Sequence, residues 1–112
     1  VYDICRARPI DLAIIDGLAG LQLGDPIDGE RVEQGLVAAG WHAPAVDVVG
    51  CALMGVDPVA SRYLAYLRAA GQGPISLDDV ELHGDPLASL AQRFATPDER
   101  TLAAHSQRAS AH

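Results

Sequence analysis

The strongest constraint on this chain is a short apolar run, Ile10-Asp11-Leu12-Ala13-Ile14-Ile15, bounded by Pro9 before it and Asp16-Gly17 after it. A run of that length, rich in isoleucine and closed by turn formers, has the character of a strand covered on both faces. It predicts a central strand at 10–15. The following segment carries Gly17, Gly20, Gly24 and Gly29 together with Pro26, too punctuated for a regular element, so 17–29 is expected to form a long loop after the strand's carboxyl end. Strand character returns over 32–40, through Gly35-Leu36-Val37-Ala38-Ala39.

Helices are expected next. Pro44 suits a first helical turn and Gly55 a helix stop, which places a helix over 43–54 whose apolar residues surround nearly its whole circumference. Asp57-Pro58 opens a second helix running to about Ala70 and ending at Gly71. Residues 76–79 read as a turn or short helix, 80–83 as a brief strand, and 86–94 as a helix. Val1 to Arg8 reads as the tail of a helix begun upstream, as expected of a fragment or a processed chain.

This order predicts an α/β domain, a small sheet of three or more strands packed by helices. One domain is expected over 1–95, with a mobile polar tail over 96–112. A chain of 112 residues has a core's worth of material, since a domain of this size buries about 65% of its unfolded surface. So narrow a sheet leaves an edge open, and its completion by upstream chain or by a second copy is expected.

Composition excludes several functions. The net charge of −7 comes from 15 acidic and 8 basic side chains, all of the latter arginine, which disfavours nucleic acid as a partner. No apolar run is long enough for a membrane span and no secretory signal is recognisable at 1–9, so a cytoplasmic location and no membrane partner are expected. Cys5 and Cys51 lie in no C-x-x-C motif and are expected to be free, buried thiols. P-loop, dinucleotide, G-x-S-x-G and H-E-x-x-H patterns are all lacking.

Candidate chemistry centres on Asp16, at a strand's carboxyl end, where open α/β sheets place their ligands. The alternative role for Asp16 is to bond loop amides and turn the chain. Gly17, Gly24, Asp25 and Gly29 would let backbone approach a ligand closely, or would form a plain solvated connection. His42 and Asp47 flank the start of the apolar helix. With Asp16 they form a candidate divalent-metal set, of no specified metal. Asp47 is expected in the first turn of that helix, where its alternative roles are to serve the helix dipole or to pair with a buried partner. Strand direction decides the matter, because only a parallel pair brings Asp16 to the side of His42 and Asp47.

An ordered set of landmarks completes the reading: Pro9-Ile10-Asp11-Leu12-Ala13-Ile14-Ile15-Asp16-Gly17, Pro26-x-x-Gly29, Ala45-Val46-Asp47, Leu53-Met54-Gly55-Val56-Asp57-Pro58, Gly71-x-Gly73 and Glu81-Leu82-His83-Gly84. The set resembles the carboxyl-terminal half of the prokaryotic family called domain of unknown function 362, over about residues 1–85. The resemblance implies a larger domain, longer on its amino-terminal side, and no single activity. Some family members carry iron–sulfur segments, but this chain has no cysteine motif for a cluster. It also has His42-Ala43-Pro44-Ala45-Val46-Asp47 where the family usually reads Asp-Pro-Val-Ala-Val-Asp, Gln22 near a family acid, and Asp25 where glycine usually precedes Pro26. Two functions follow as expectations: a site that binds a small ligand or a divalent metal, with catalysis left open, or an interaction module that completes a larger protein or an oligomer without chemistry of its own.

Overall fold

The computed structural model describes residues 2–24, 27–74, 76–96, 98–99 and 106. Helix α1 (Tyr2–Ala7) leads into strands β1 (Ala13–Gln22) and β2 (Glu30–Gly40), then helix α2 (Ala43–Leu53), a 3-10 turn at Pro58–Ala60, helix α3 (Arg62–Ala69), a second 3-10 turn at Leu77–Asp79, and the single turn α4 (Leu87–Leu90). β1 and β2 pair antiparallel as a two-stranded sheet, with Ala13 opposite Gly40 and Gln22 opposite Glu30. Helices and sheet together make a mixed α/β architecture.

Local signals placed the helices well. α2 begins with proline in its first turn and ends at Gly55, which adopts φ 68°. The Val56 amide donates to the Cys51 carbonyl at 2.8 Å and the Gly55 amide to Ala52 at 3.1 Å, a Schellman closure that satisfies the helix's last carbonyls. α3 ends the same way: Gly71 has φ 70°, the Gln72 amide donates to Leu67 at 2.9 Å and the Gly71 amide to Arg68 at 2.8 Å. The helix expected from Asp57 to Ala70 is instead divided. Asp57 caps the 3-10 turn by accepting from the Val59 amide at 2.9 Å, and Ser61, with extended backbone, separates that turn from α3.

The sheet departs further from expectation. The first strand starts at Ala13, not Ile10, and runs through Gly17 and Gly20 into the expected loop, so the connection spans only 23–29. Both glycines have a packing reason: a β-carbon at Gly17 would run into the Leu36 side chain, and one at Gly20 into the Phe94 ring. The register steps two residues in β1 from Gly17 to Ala19 while stepping three in β2 from Leu36 to Glu33. Gln34 and Gly35 therefore oppose Leu18 together, a β-bulge, and Gly35 takes the φ of 68° that such a bulge asks of its glycine.

The expected third strand at 80–83 makes no ladder among the described residues, and the helix expected over 86–94 is confined to Leu87–Leu90. Its continuation is drawn off by α2: the amides of Gln92 and Phe94 donate to the carbonyls of Leu53 and Met54, both at 2.9 Å. These bonds hold 91–94 extended along the end of α2. Nor is β1 a central strand covered on both faces, since Ile14 and Leu18 are 63% and 59% exposed. The tail expected over 96–112 falls almost entirely outside the described residues.

Two apolar clusters hold the chain together. Leu36, Val49 and Leu53 pack with Ala38, Leu77, Val80, Leu87 and Leu90, between the inner face of the hairpin and α2. Val48, Leu64 and Leu67 pack with Tyr2, Cys5, Cys51, Tyr63 and Leu77, on the far side of α2. α2 thus contributes to both clusters, which is why its apolar residues wrap its circumference. Cys5 and Cys51 are half-buried within the second cluster and form no disulfide.

Candidate functional site

Strand alternation decides where the first candidate points. Ile15 packs toward α2, where its Cδ1 lies 2.9 Å from the position a β-carbon would take on Gly50. The next residue, Asp16, therefore faces away, on the outer surface of the hairpin opposite Val37. Its exposed carboxylate Oδ1 accepts from the Leu18 amide at 3.1 Å, a bond that supports the chain at the bulge. Gly17 faces inward against Leu36. Gly24 and Gly29 lie in the hairpin connection, and Asp25 lies outside the described residues.

His42 and Asp47 sit at the other end of the hairpin. His42 is the exposed residue preceding α2, with extended backbone and no side-chain cap. Asp47 is the fifth residue of α2, past its first turn, so the helix-dipole role expected for it does not apply. It has a specific partner instead: the Tyr63 hydroxyl donates to its Oδ2 at 2.6 Å. Burial pushes the Tyr63 phenol well above the ordinary tyrosine range, and the hydrogen bond and negative charge of Asp47 add to the shift. Burial likewise raises the Cys51 thiol, aided by the charges of Asp47 and Asp57, which keeps that thiol protonated and unreactive at neutral pH.

His42 and Asp47 do share a cavity, a pocket of about 360 Å³ that Cys5 and Arg6 of α1 also line. Asp16 has no place in it, because strand alternation turns its side chain to the outer surface of the hairpin. Among the described residues no group of three or more histidine, cysteine, aspartate or glutamate side chains is arranged to hold a metal ion.

A larger cleft, about 940 Å³, has no signature in the sequence pattern. One wall is β2 from Gly35 to Gly40. The floor includes Val46, Val49 and Leu53 of α2, and the far wall is the segment from Asp79 to Leu87. His42 stands at its end, so this residue touches both cavities. The one available sequence signal was strand-like Val80-Glu81-Leu82-His83, which suggested a sheet element near β2 without revealing that the two fail to meet.

No protein-family model, curated protein or solved structure matches this chain. Among the described residues, no helix is long and apolar enough to cross a membrane.

Proposed function

We propose that this chain is an interaction module whose two-stranded sheet is extended at its open edges and covered on its outer face by further elements of a larger protein. The observation that carries this reading is the outer surface of the hairpin. Val37, 65% exposed, is opposite Asp16 and diagonal to Ile14, with Leu18 beyond, so three large apolar side chains stand in solvent beside strand edges that have no ladder partner among the described residues. The resemblance to domain of unknown function 362 supports the same reading, because that family's domain continues on the amino-terminal side. A homo-oligomer is the competing way of covering the same surface.

Light scattering over a concentration series tests the reading together with hydrogen exchange. The 112-residue chain by itself should bind a hydrophobic dye, and its strand-edge amides should exchange fast. Adding the preceding segment of the larger protein should abolish dye binding and slow that exchange. A chain that is monomeric, dye-silent and unchanged by the added segment would remove the proposal.

A second reading rests on the pocket shared by His42, Asp47 and Arg6, whose mixed charges suit a small polar ligand. Calorimetric titration with magnesium and with inorganic phosphate examines it. Magnesium binding that Asp47→Asn weakens, or phosphate binding that Arg6→Gln weakens, with little change in melting temperature, supports this reading, whereas silence with both probes removes it.

A further inference from the structure

We infer that the cleft between β2 and the segment Asp79–Leu87 receives an extended strand in which apolar side chains alternate with basic ones. The inference rests on the sheet-completion reading and adds which edge is used and what chemistry the incoming strand carries.

The backbone of β2 supplies the first part of the argument. Among the described residues, Gly35 to Gly40 make backbone hydrogen bonds only within the hairpin, so every second residue presents an amide and a carbonyl to the cleft. The edge is closed further back, where the Gln92 side chain donates to the Glu33 carbonyl at 3.0 Å. At roughly 3.3 Å per residue, the open stretch is about 20 Å long. That length suits one short strand.

Topology makes the opening a slot with two walls. The would-be β-carbon of Gly73 lies 3.6 Å from the His42 ring at one end of β2, and Gln92 meets Glu33 toward the other, so the described residues 76–92 run antiparallel to β2 across the cleft. Within it, Val80 to His83 form no ladder. Leu36, Val46, Val49 and Leu53 at the base of the cleft are buried, the first and the last two already packed against Val80, Leu87 and Leu90, so a strand added along β2 would find its apolar contacts on half-buried Ala38 and on exposed Leu82 and Trp41. One side of an added strand therefore meets apolar lining, which is the alternation that recognition by strand addition reads.

Charge chooses the other side. The lining contains the exposed carboxylates of Asp79, Glu81 and Asp85, and among the described residues no arginine. Glu81 is engaged by the exposed His83 ring at 2.9 Å, while Asp79 and Asp85 appear in no ion pair among the described residues. Arginine or lysine on the incoming strand would complement this wall. A second copy of the chain fits poorly, because it brings a further charge of −7 and a two-fold β2–β2 pairing would set one acidic wall against another.

The test is an NMR titration of the full chain with three synthetic eight-residue peptides: one alternating valine with arginine, one alternating valine with glutamate, and one of the first composition with its valines and arginines in separate blocks. The alternating basic peptide should shift amides in 35–40 and 80–83, and binding should weaken by roughly tenfold in the variant Asp79→Asn/Glu81→Gln/Asp85→Asn. These three residues are exposed, so the variant should retain the wild-type far-UV spectrum. Equal binding of the acidic or blocked peptide overturns the inference, as do shifts confined to β1. Shifts confined to β1 leave sheet completion standing. Slow exchange of the outward-facing amides within 35–40, those not bonded to β1, in the dilute free chain would mean that 80–83 closes on β2 itself, and concentration-dependent dimerisation through 35–40 would mean that a second copy fills the slot. Either result overturns the inference. Failure of all three peptides, joined to a dye-silent monomer, removes both readings.

Discussion

The two faces of the β-hairpin share a backbone and meet opposite fates. On the inner face Leu36 is buried against Val49 and Leu53, and Gly17 opposite it admits that packing. On the outer face Ile14, Leu18 and Val37 stand in solvent around Asp16. The inner face therefore supplies stability to the chain as it stands, while the outer face supplies none until something covers it. Apolar content alone does not distinguish a core from an interface. What distinguishes them is whether a second element arrives within the same chain.

The sharpest way to break this contrast is paired truncation. Leu53→Ala, at a residue 4% exposed, should cost about 2–5 kcal/mol in denaturant unfolding of the free chain. Val37→Thr on the outer face should stay within about 0.5 kcal/mol. Comparable losses at the two sites would mean that the outer face is already covered, by self-association or otherwise. In the completed assembly the Val37 substitution should become costly, and that change of rank measures the interface directly.

The bulge joining the two faces offers the next largest effect. Gly35 holds φ 68° with nothing within 4 Å of the position of an added β-carbon, so Gly35→Ala meets backbone strain without a clash. A loss of roughly 1–2 kcal/mol is expected in the same unfolding measurement. A neutral result would place the extra residue of the register elsewhere.

The Tyr63 hydroxyl sharpens the comparison from the helical side, where the contacts are complete. Tyr63→Phe should cost about 1 kcal/mol near neutral pH, since it leaves Asp47 without this donor. Because the folded phenol titrates above its ordinary value of about 10, this contribution is fully present below pH ~10 and is lost as pH rises through the folded value. Melting temperatures across alkaline pH should therefore fall more steeply in the wild type than in the Phe variant. Parallel slopes would show that the hydroxyl is not so held.

The smallest effect is expected at Asp16. Asp16→Asn keeps an oxygen able to accept from the Leu18 amide and should change stability by less than about 0.5 kcal/mol. A substantial loss would point to a charged partner on the outer face.

How far the sequence could be read follows from the range of the interactions involved. Pro44 and Gly55 marked α2, Gly71 ended α3, and the short helix at 77–79 fell where Ser76 caps it, because capping is settled within a few residues. The presence of neighbouring strands around 10–15 and 35–39 was also legible. Their extent was not. Gly17 and Gly20 read as loop residues because the side chains that occupy the space beside them, Leu36 and Phe94, come from positions 19 and 74 residues further along. The acidic site was half legible, in that His42 and Asp47 do meet at one pocket, being five residues apart around the start of a helix.

By itself, then, the sequence determined the bounds of α2, the end of α3, the mixed α/β class and the excess of negative charge, all of which depend on near neighbours or on composition alone, whereas the break at Ser61 and the early end of α4 were not legible in it. Tertiary structure decided that the strands run antiparallel, that Asp16 turns away from His42 and Asp47, and that 80–83 stops short of β2. A one-residue change of register or a reversal of strand direction leaves every local preference satisfied while moving a side chain to the opposite face, so only the packing of α2 on the hairpin could choose among them.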